Sequence, residues 1–228
     1  MKTYCDRREA GWVLSESLKQ YANQPNILVL ALPRGGVPVA YEVANALNVP
    51  LDVFVVRKLG VPSHPELAMG AIARGGLVVF NQTVIQAISA TKEVIQAVIQ
   101  TEKQELKRRE LAYRDDRPFP ALTHQTIILV DDGVATGATM KAAIQALRAL
   151  KVGKLVVAVP VCDPTICNEL SRLVDHFVCP LRPSHLNAVG SWYDDFSQTE
   201  DEEVRRLLAG KGSSVFCSHK GGANDARD

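Results

Sequence analysis

Within this sequence of 228 residues, the run Thr126–Met140, TIILVDDGVATGATM, gathers the residue types best suited to chemistry. An apolar stretch of strand length leads into two adjacent carboxylates, Asp131 and Asp132. A short loop with Gly137 and the hydroxyls of Thr136 and Thr139 follows, and a helix is expected to open there. The first N–H groups of a helix lack intrahelical partners and lie at the positive end of its dipole. Thr136, Gly137, Ala138 and Thr139 are therefore a ready cradle for an anion. Gly137 lets the backbone close on a phosphate, and the threonines add donors. Asp131 and Asp132 repel phosphate but can accept hydrogen bonds from sugar hydroxyls. The implied ligand is a ribose phosphate.

Three rival readings of this run fit less well. A Walker-type loop needs G-x-x-x-x-G-K-[ST], and no lysine follows Gly137 directly. The dinucleotide fingerprint G-x-G-x-x-G is absent. Receiver domains end a strand in paired aspartates, but that strand normally opens the domain, whereas Asp132 lies past mid-chain. A purely structural turn is the bland alternative, and the length of the pattern argues against it.

The elements that must position these residues alternate along the chain. Ile27–Leu32 is a continuous apolar run, as in a strand buried on both faces. Pro33–Gly36 interrupts it before a helix over Val37–Leu47. Further strands are expected at Asp52–Val56, Thr126–Val130, Lys154–Val159 and Asp175–Cys179, with a helix over Thr139–Leu150. Short βα connections of this kind make an α/β fold with a central, mainly parallel sheet flanked by helices. Two stretches depart from the alternation. Lys58–Met69 carries two prolines and little periodicity, so it reads as a long loop, with a hairpin around Arg74-Gly75-Gly76 after it. Residues 83–114 read as a helical insertion, broken near Ser89–Thr91, with Ile95, Ile99, Leu106 and Tyr113 on one face. Glu105/Arg109 and Glu110/Arg114 are i,i+4 pairs for its solvated face. An exposed helix and a docking surface are both compatible with that charge.

Composition bounds the rest. Hydrophobic residues are 46% and charged residues 22%, ordinary for a globular chain, and the net charge of +1 gives no overall footprint for DNA. The longest apolar runs fall well short of a bilayer span, and Met1–Glu9 leads into no apolar signal region. A cytoplasmic location with no membrane partner is the expectation. The five cysteines lack C-x-x-C spacing and read as free thiols. Cys162, Cys167, His176, Cys179 and His185 do not match the usual zinc ligand pairs. One domain over residues 1–210 is expected, with a covering subregion at 175–210 and a disordered tail at 211–228.

VDDGVATGAT resembles the 5-phosphoribosyl-1-pyrophosphate (PRPP) motif of type I phosphoribosyltransferases. Pro33-Arg34-Gly35-Gly36 stands where that family has its pyrophosphate loop, and Arg57-Lys58 where its mobile catalytic loop begins. The fuller pattern, with PRGGVPVA, RKLG, PELAMGAIA and NAVGSWYDDF, is similar to a bacterial group of phosphoribosyltransferases. The resemblance implies the type I phosphoribosyltransferase fold with a small C-terminal hood. It assigns Asp131 and Asp132 to the PRPP ribose, Ala135 to Thr139 to its 5′-phosphate, and Arg34, Gly35 and Gly36 to pyrophosphate. Arg57 and Lys58 become catalytic, and Glu66 either handles a proton on the acceptor or is a solvated loop acid. Mg²⁺ held through PRPP, a nucleobase-like acceptor and a homodimer are implied as partners. Trp192, Tyr193 and Phe196 either stack on that acceptor or cover the sheet edge. The hypoxanthine–guanine branch has an aspartate where this chain has Ala135, which weakens a 6-oxopurine reading. A PRPP- or nucleotide-sensing regulator of the same fold is the non-catalytic alternative.

Overall fold

The computed structural model describes residues 3–62, 64–87, 91–114 and 119–211; the backbone of Pro65, Glu66 and Lys211 is included but not their side chains. Apart from Lys211, which ends a helix, the expected disordered tail lies outside the described residues. In chain order the elements are α1 (Arg7–Glu16), β1 (Ile27–Ala31), α2 (Gly36–Leu47), β2 (Leu51–Val53), β3 (Val56–Val61), β4 (His64–Ala73) and β5 (Leu77–Phe80). They continue with α3 (Gln82–Ala87), α4 (Lys92–Arg114), β6 (Thr126–Val130), α5 (Ala138–Ala149), β7 (Lys154–Ala158), α6 (Pro164–Ser171), β8 (His176–Val178) and α7 (Asp201–Lys211).

Five strands form a parallel sheet in the order β2-β1-β6-β7-β8. Their side chains alternate between two cores. Ile27, Val29 and Ala31 join Ile128 and Val130 under α1, α2, α4 and α7. Leu28, Leu30, Ile127 and Leu129 face α5 and α6 on the other side. Apolar residues at every position of β1 are thus required by burial on both faces. The chain leaves β1 toward β2 on one side, while β6 pairs on the other. The carboxyl ends of β1 and β6 are therefore a topological switch point, where open α/β sheets place ligands.

The second sheet corrects the sequence reading. Lys58–Met69 is not a loop: β3, β4 and β5 form an antiparallel sheet packed against α4 and α5. Proline at 62 and 65 and the register shift at Gly60 erase the period-two pattern that marks a strand. Asp52–Val56 is likewise not one strand. Leu51–Val53 pairs with β1, and Val56 opens the antiparallel sheet. Arg57 and Lys58 therefore lie inside β3 rather than at the end of a parallel strand. The apolar run VFVV conceals this change of partner, because both sheets bury it.

Helix α4 is tied to the core. Ile99, Leu106 and Tyr113 are buried as their spacing requires. Arg109 pairs with Glu105 at 2.8 Å, but the second expected pair does not form. Arg114 instead forks onto Asp52 of β2 at 2.8 and 2.7 Å, and Glu110 lies 3.5 Å from Arg74. The guanidinium of Arg114 is nearly excluded from water, so a carboxylate on the sheet satisfies it better than a neighbour on its own helix.

The covering subregion is smaller than residues 175–210. β8 belongs to the parallel sheet, and α7 packs on α2 and α4. The remainder, around Leu181–Phe196, is joined by the amino-terminal segment through a Tyr4–Tyr193 bridge and the bond Tyr4 N–H to Trp192 O, 2.9 Å. Among the described residues, no helix is long and apolar enough to cross a membrane.

Candidate active site

The carboxyl ends of β1 and β6 carry the two predicted loops side by side, and Leu32 N–H donates to Val130 O at 2.9 Å. After β6, Gly137 adopts φ +73 and caps α5 with no side-chain hydrogen bond. That conformation suits glycine, and the first N–H groups of α5 have no partner within the helix. Val134, bonded to Val161 O at 2.9 Å, anchors the loop from below. Thr136 and Thr139 are exposed beside the helix start. This is the order of glycine turn, hydroxyls and helix start that the spacing predicts.

After β1, the Pro33–Arg34 peptide is cis and Gly36 N–H returns to Leu32 O at 3.1 Å. The turn presses its glycines onto the carboxylate pair. A Cβ on Gly35 would stand 2.0 Å from Asp132 Oδ2, and one on Gly36 3.1 Å from Asp131 Oδ1. Arg34 reaches the start of α7, 3.5 Å from Asp201 and 3.9 Å from Glu200.

Asp132 is held by residues far away in sequence. Its Oδ2 accepts from Arg7 Nε at 2.9 Å, and its backbone carbonyl accepts from the Tyr193 hydroxyl at 2.5 Å. Asp131 Oδ1 accepts from Asp132 N–H at 2.9 Å. Both residues are partly exposed but otherwise surrounded by protein. Burial, and then the charge of Asp132, push the carboxyl of Asp131 well above its ordinary range. Burial raises Asp132 too, opposed by the Arg7 guanidinium.

A cleft of about 630 Å³ opens between β3 and α4 beside these loops. Pro33, Arg57, Lys58, Glu102, Arg109 and Thr139 are among its lining residues. Arg57 Nε donates to Glu102 at 2.7 Å, so the insertion supplies a carboxylate to the predicted catalytic arginine.

The phosphoribosyl transferase domain model matches residues 65–178. Two Mycobacterium tuberculosis proteins, from strains CDC 1551 and H37Rv and each named "Putative phosphoribosyl transferase", are 45% identical over 208 residues. The match takes in 91% of this chain and 47% of theirs, so the chain spans about half the length of these relatives. The crystal structure of TT1426 from Thermus thermophilus superposes with a TM-score of 0.84 at 38% identity, over 92% of this chain and 99% of that one. The chain belongs to the phosphoribosyl transferase family.

Arg34 to Gly36, Asp131, Asp132 and Ala135 to Thr139 share one end of the sheet, with Arg57 and Lys58 lining the cleft beside it. The Glu66 side chain lies outside the described residues. The aromatics divide. Trp192 and Tyr193 are buried with Tyr4, Ala10 and Val161, so their rings are committed to packing rather than to an acceptor. Phe196 is half-buried, and the Arg7 guanidinium carbon lies 3.9 Å from its ring centroid. Of these three, Tyr193 bonds the Asp132 carbonyl and Phe196 packs on the Arg7 that holds its carboxylate. Arg7, Tyr4 and Glu102 escape sequence reasoning because no local pattern links them to the motifs; Arg7 stands 125 positions from Asp132.

Gly137→Val is expected to weaken ribose 5-phosphate binding at least about tenfold, as a blocked phosphate approach should. A Cβ there would meet Ile166 Cγ2 at 2.8 Å, and a β-branched residue is strained at φ +73. Titration calorimetry of the variant against the parent checks this; equal affinities would dismiss the helix-terminus cradle.

Proposed function

We propose that the chain transfers the 5-phosphoribosyl group of PRPP to a nitrogen nucleophile on a small, nucleobase-like acceptor and releases pyrophosphate. The observation that carries this reading is the meeting of the anion cradle, the carboxylate pair and the glycine turn at the ends of β1 and β6. A phosphate, two ribose hydroxyls and a second anionic group are the ligand parts those three features can each take.

In this reaction the bond from the anomeric carbon to the pyrophosphate oxygen breaks and a carbon–nitrogen bond forms. The acceptor nitrogen loses a proton. The transition state is oxocarbenium-like, so the protein's work is to orient the ribose, neutralise the leaving group and exclude water. Asp131 and Asp132 fix the ribose through its hydroxyls. Arg57 and Lys58 face the cleft and add positive charge where pyrophosphate charge develops. Mg²⁺ would neutralise the leaving group further. Among the described residues no group of three or more His, Cys, Asp or Glu is gathered to hold a metal ion.

Pyrophosphate release from PRPP, Mg²⁺ and a panel of bases tests the proposal. Lys58→Ala is expected to lower kcat by ~10²–10³ and leave the KM for PRPP little changed, as for loss of a donor felt mainly in the transition state. PRPP binding without turnover on any base would assign the chain to sensing rather than transfer. An unchanged kcat in Lys58→Ala would remove that residue from the catalytic step.

A further inference from the structure

The described molecule offers one side chain that reaches the carboxylate pair from outside both ligand-binding loops. Arg7 opens α1, and the start of that helix is fixed by Asp6, whose carboxylate accepts from Arg8 N–H and Glu9 N–H at 2.8 Å each. The segment before it is stitched to the cover by Asp194 N–H to Tyr4 O, 2.8 Å, and Asp195 N–H to Cys5 O, 2.9 Å. From this fixed base the guanidinium is gripped at three points. Nε donates to Asp132 Oδ2 at 2.9 Å, Nη1 donates to Ser197 O at 2.7 Å, and the planar group lies over Phe196. Only 11% of its side chain is exposed.

We infer that Arg7 is a positioning residue for Asp132, holding one carboxylate oxygen so that the other is presented to the vicinal hydroxyls of a ribose phosphate. This rests on the ribose assignment of the proposed function. The physical case has two parts. A recessed carboxylate with a free torsion would sample several orientations, and the guanidinium fork bridging Asp132 and Ser197 O fixes one. The positive charge also keeps Asp132 able to accept strong, charge-assisted bonds despite its burial. The glycine turn depends on the same arrangement, because Gly35 has room for no Cβ beside Asp132 Oδ2 and Arg7 Nε. Arg7 touches no ligand on this account and acts through Asp132.

The test compares two ligands on the full chain: ribose 5-phosphate, and tetrahydrofurfuryl phosphate, which keeps the ring and phosphate but lacks the hydroxyls. The parent is expected to prefer ribose 5-phosphate by on the order of tenfold or more, the value of hydrogen bonds to a charged acceptor. Arg7→Met should reduce that preference to about threefold or less while binding tetrahydrofurfuryl phosphate as the parent does. Arg7→Lys, which keeps the charge without the fork, should fall between, and it carries the test if Arg7→Met fails to fold. A parent that binds both ligands equally sinks the ribose assignment, and this inference with it. A discriminating parent with an Arg7→Met variant that discriminates as well, or binds ribose 5-phosphate more tightly, overturns the role of Arg7 alone. Equal loss of both ligands would make Arg7 merely structural.

Discussion

Gly35→Ala is expected to lower PRPP affinity by on the order of a hundredfold or more, comparable to removing a central charged contact. The effect is steric. Gly35 has φ −57 and ψ −33, which alanine adopts freely, so the substitution brings no backbone penalty of its own. Its Cβ, however, would lie 2.0 Å from Asp132 Oδ2 and 2.7 Å from Asp132 Cγ. Either the carboxylate turns away and loses Arg7, or the glycine turn lifts from the end of β1. Both outcomes separate Asp132 from the glycine turn, which the proposed function assigns to one ligand. Calorimetric titration with PRPP and Mg²⁺ measures the loss. Gly75→Ala is the matched control: its φ of +72 makes it strained, yet nothing lies within 4 Å of the added Cβ, so binding should survive. Gly35→Ala with parental affinity would mean that the turn and the carboxylates do not bind one ligand together.

The aspartate pair is expected to show unequal effects on stability and the same effect on binding. Asp131→Asn and Asp132→Asn should each weaken PRPP binding by about 1.5–3 kcal/mol, since an amide oxygen accepts less strongly than a carboxylate. At neutral pH, Asp131→Asn should unfold later, by roughly 1 kcal/mol or 2–4 °C in Tm. Its folded carboxyl titrates above the unfolded one, because burial and Asp132 disfavour the charge. The folded state thus carries a penalty above the raised pKa. That penalty is relieved as pH falls through the raised pKa, and it is gone below the unfolded value, where both states are protonated. The gain in Asp131→Asn should shrink over the same window. Asp132→Asn should gain less or nothing, because burial raises this carboxyl too but the largely buried Arg7, which opposes that shift, loses its charged partner. Melting curves at neutral and acid pH separate these cases. An Asp132→Asn variant stabilised as much as Asp131→Asn would show that the Arg7 pair contributes nothing net.

The contrast between these neighbours marks how far the sequence can be read. The motif around Asp131 and Gly137 was legible because a strand, two acids, a glycine and a helix start occur in contiguous order, and each has a local physical reason. The parallel sheet was legible because strands buried on both faces become unbroken apolar runs, as in Ile27–Ala31. The antiparallel sheet was not, because Gly60, Pro62 and Pro65 disrupt the alternation on which strand recognition depends. Its pairing is a property of the folded chain. The grip of Arg7 on Asp132 belongs to the same class, as does that of Glu102 on Arg57. Their partners are brought together by α1 and α4, and no spacing rule spans that separation. The aromatics of NAVGSWYDDF carried two readings until burial decided: Trp192 and Tyr193 face inward, and the Tyr193 hydroxyl is committed to the Asp132 carbonyl.

The most direct test of the central claim is titration of the parent chain with PRPP in the presence of Mg²⁺, followed by calorimetry. The account predicts saturable binding to one site per chain, tighter than ribose 5-phosphate, because PRPP also engages the glycine turn with its pyrophosphate. A heat trace indistinguishable from dilution, or PRPP and ribose 5-phosphate binding with equal affinity, would contradict it.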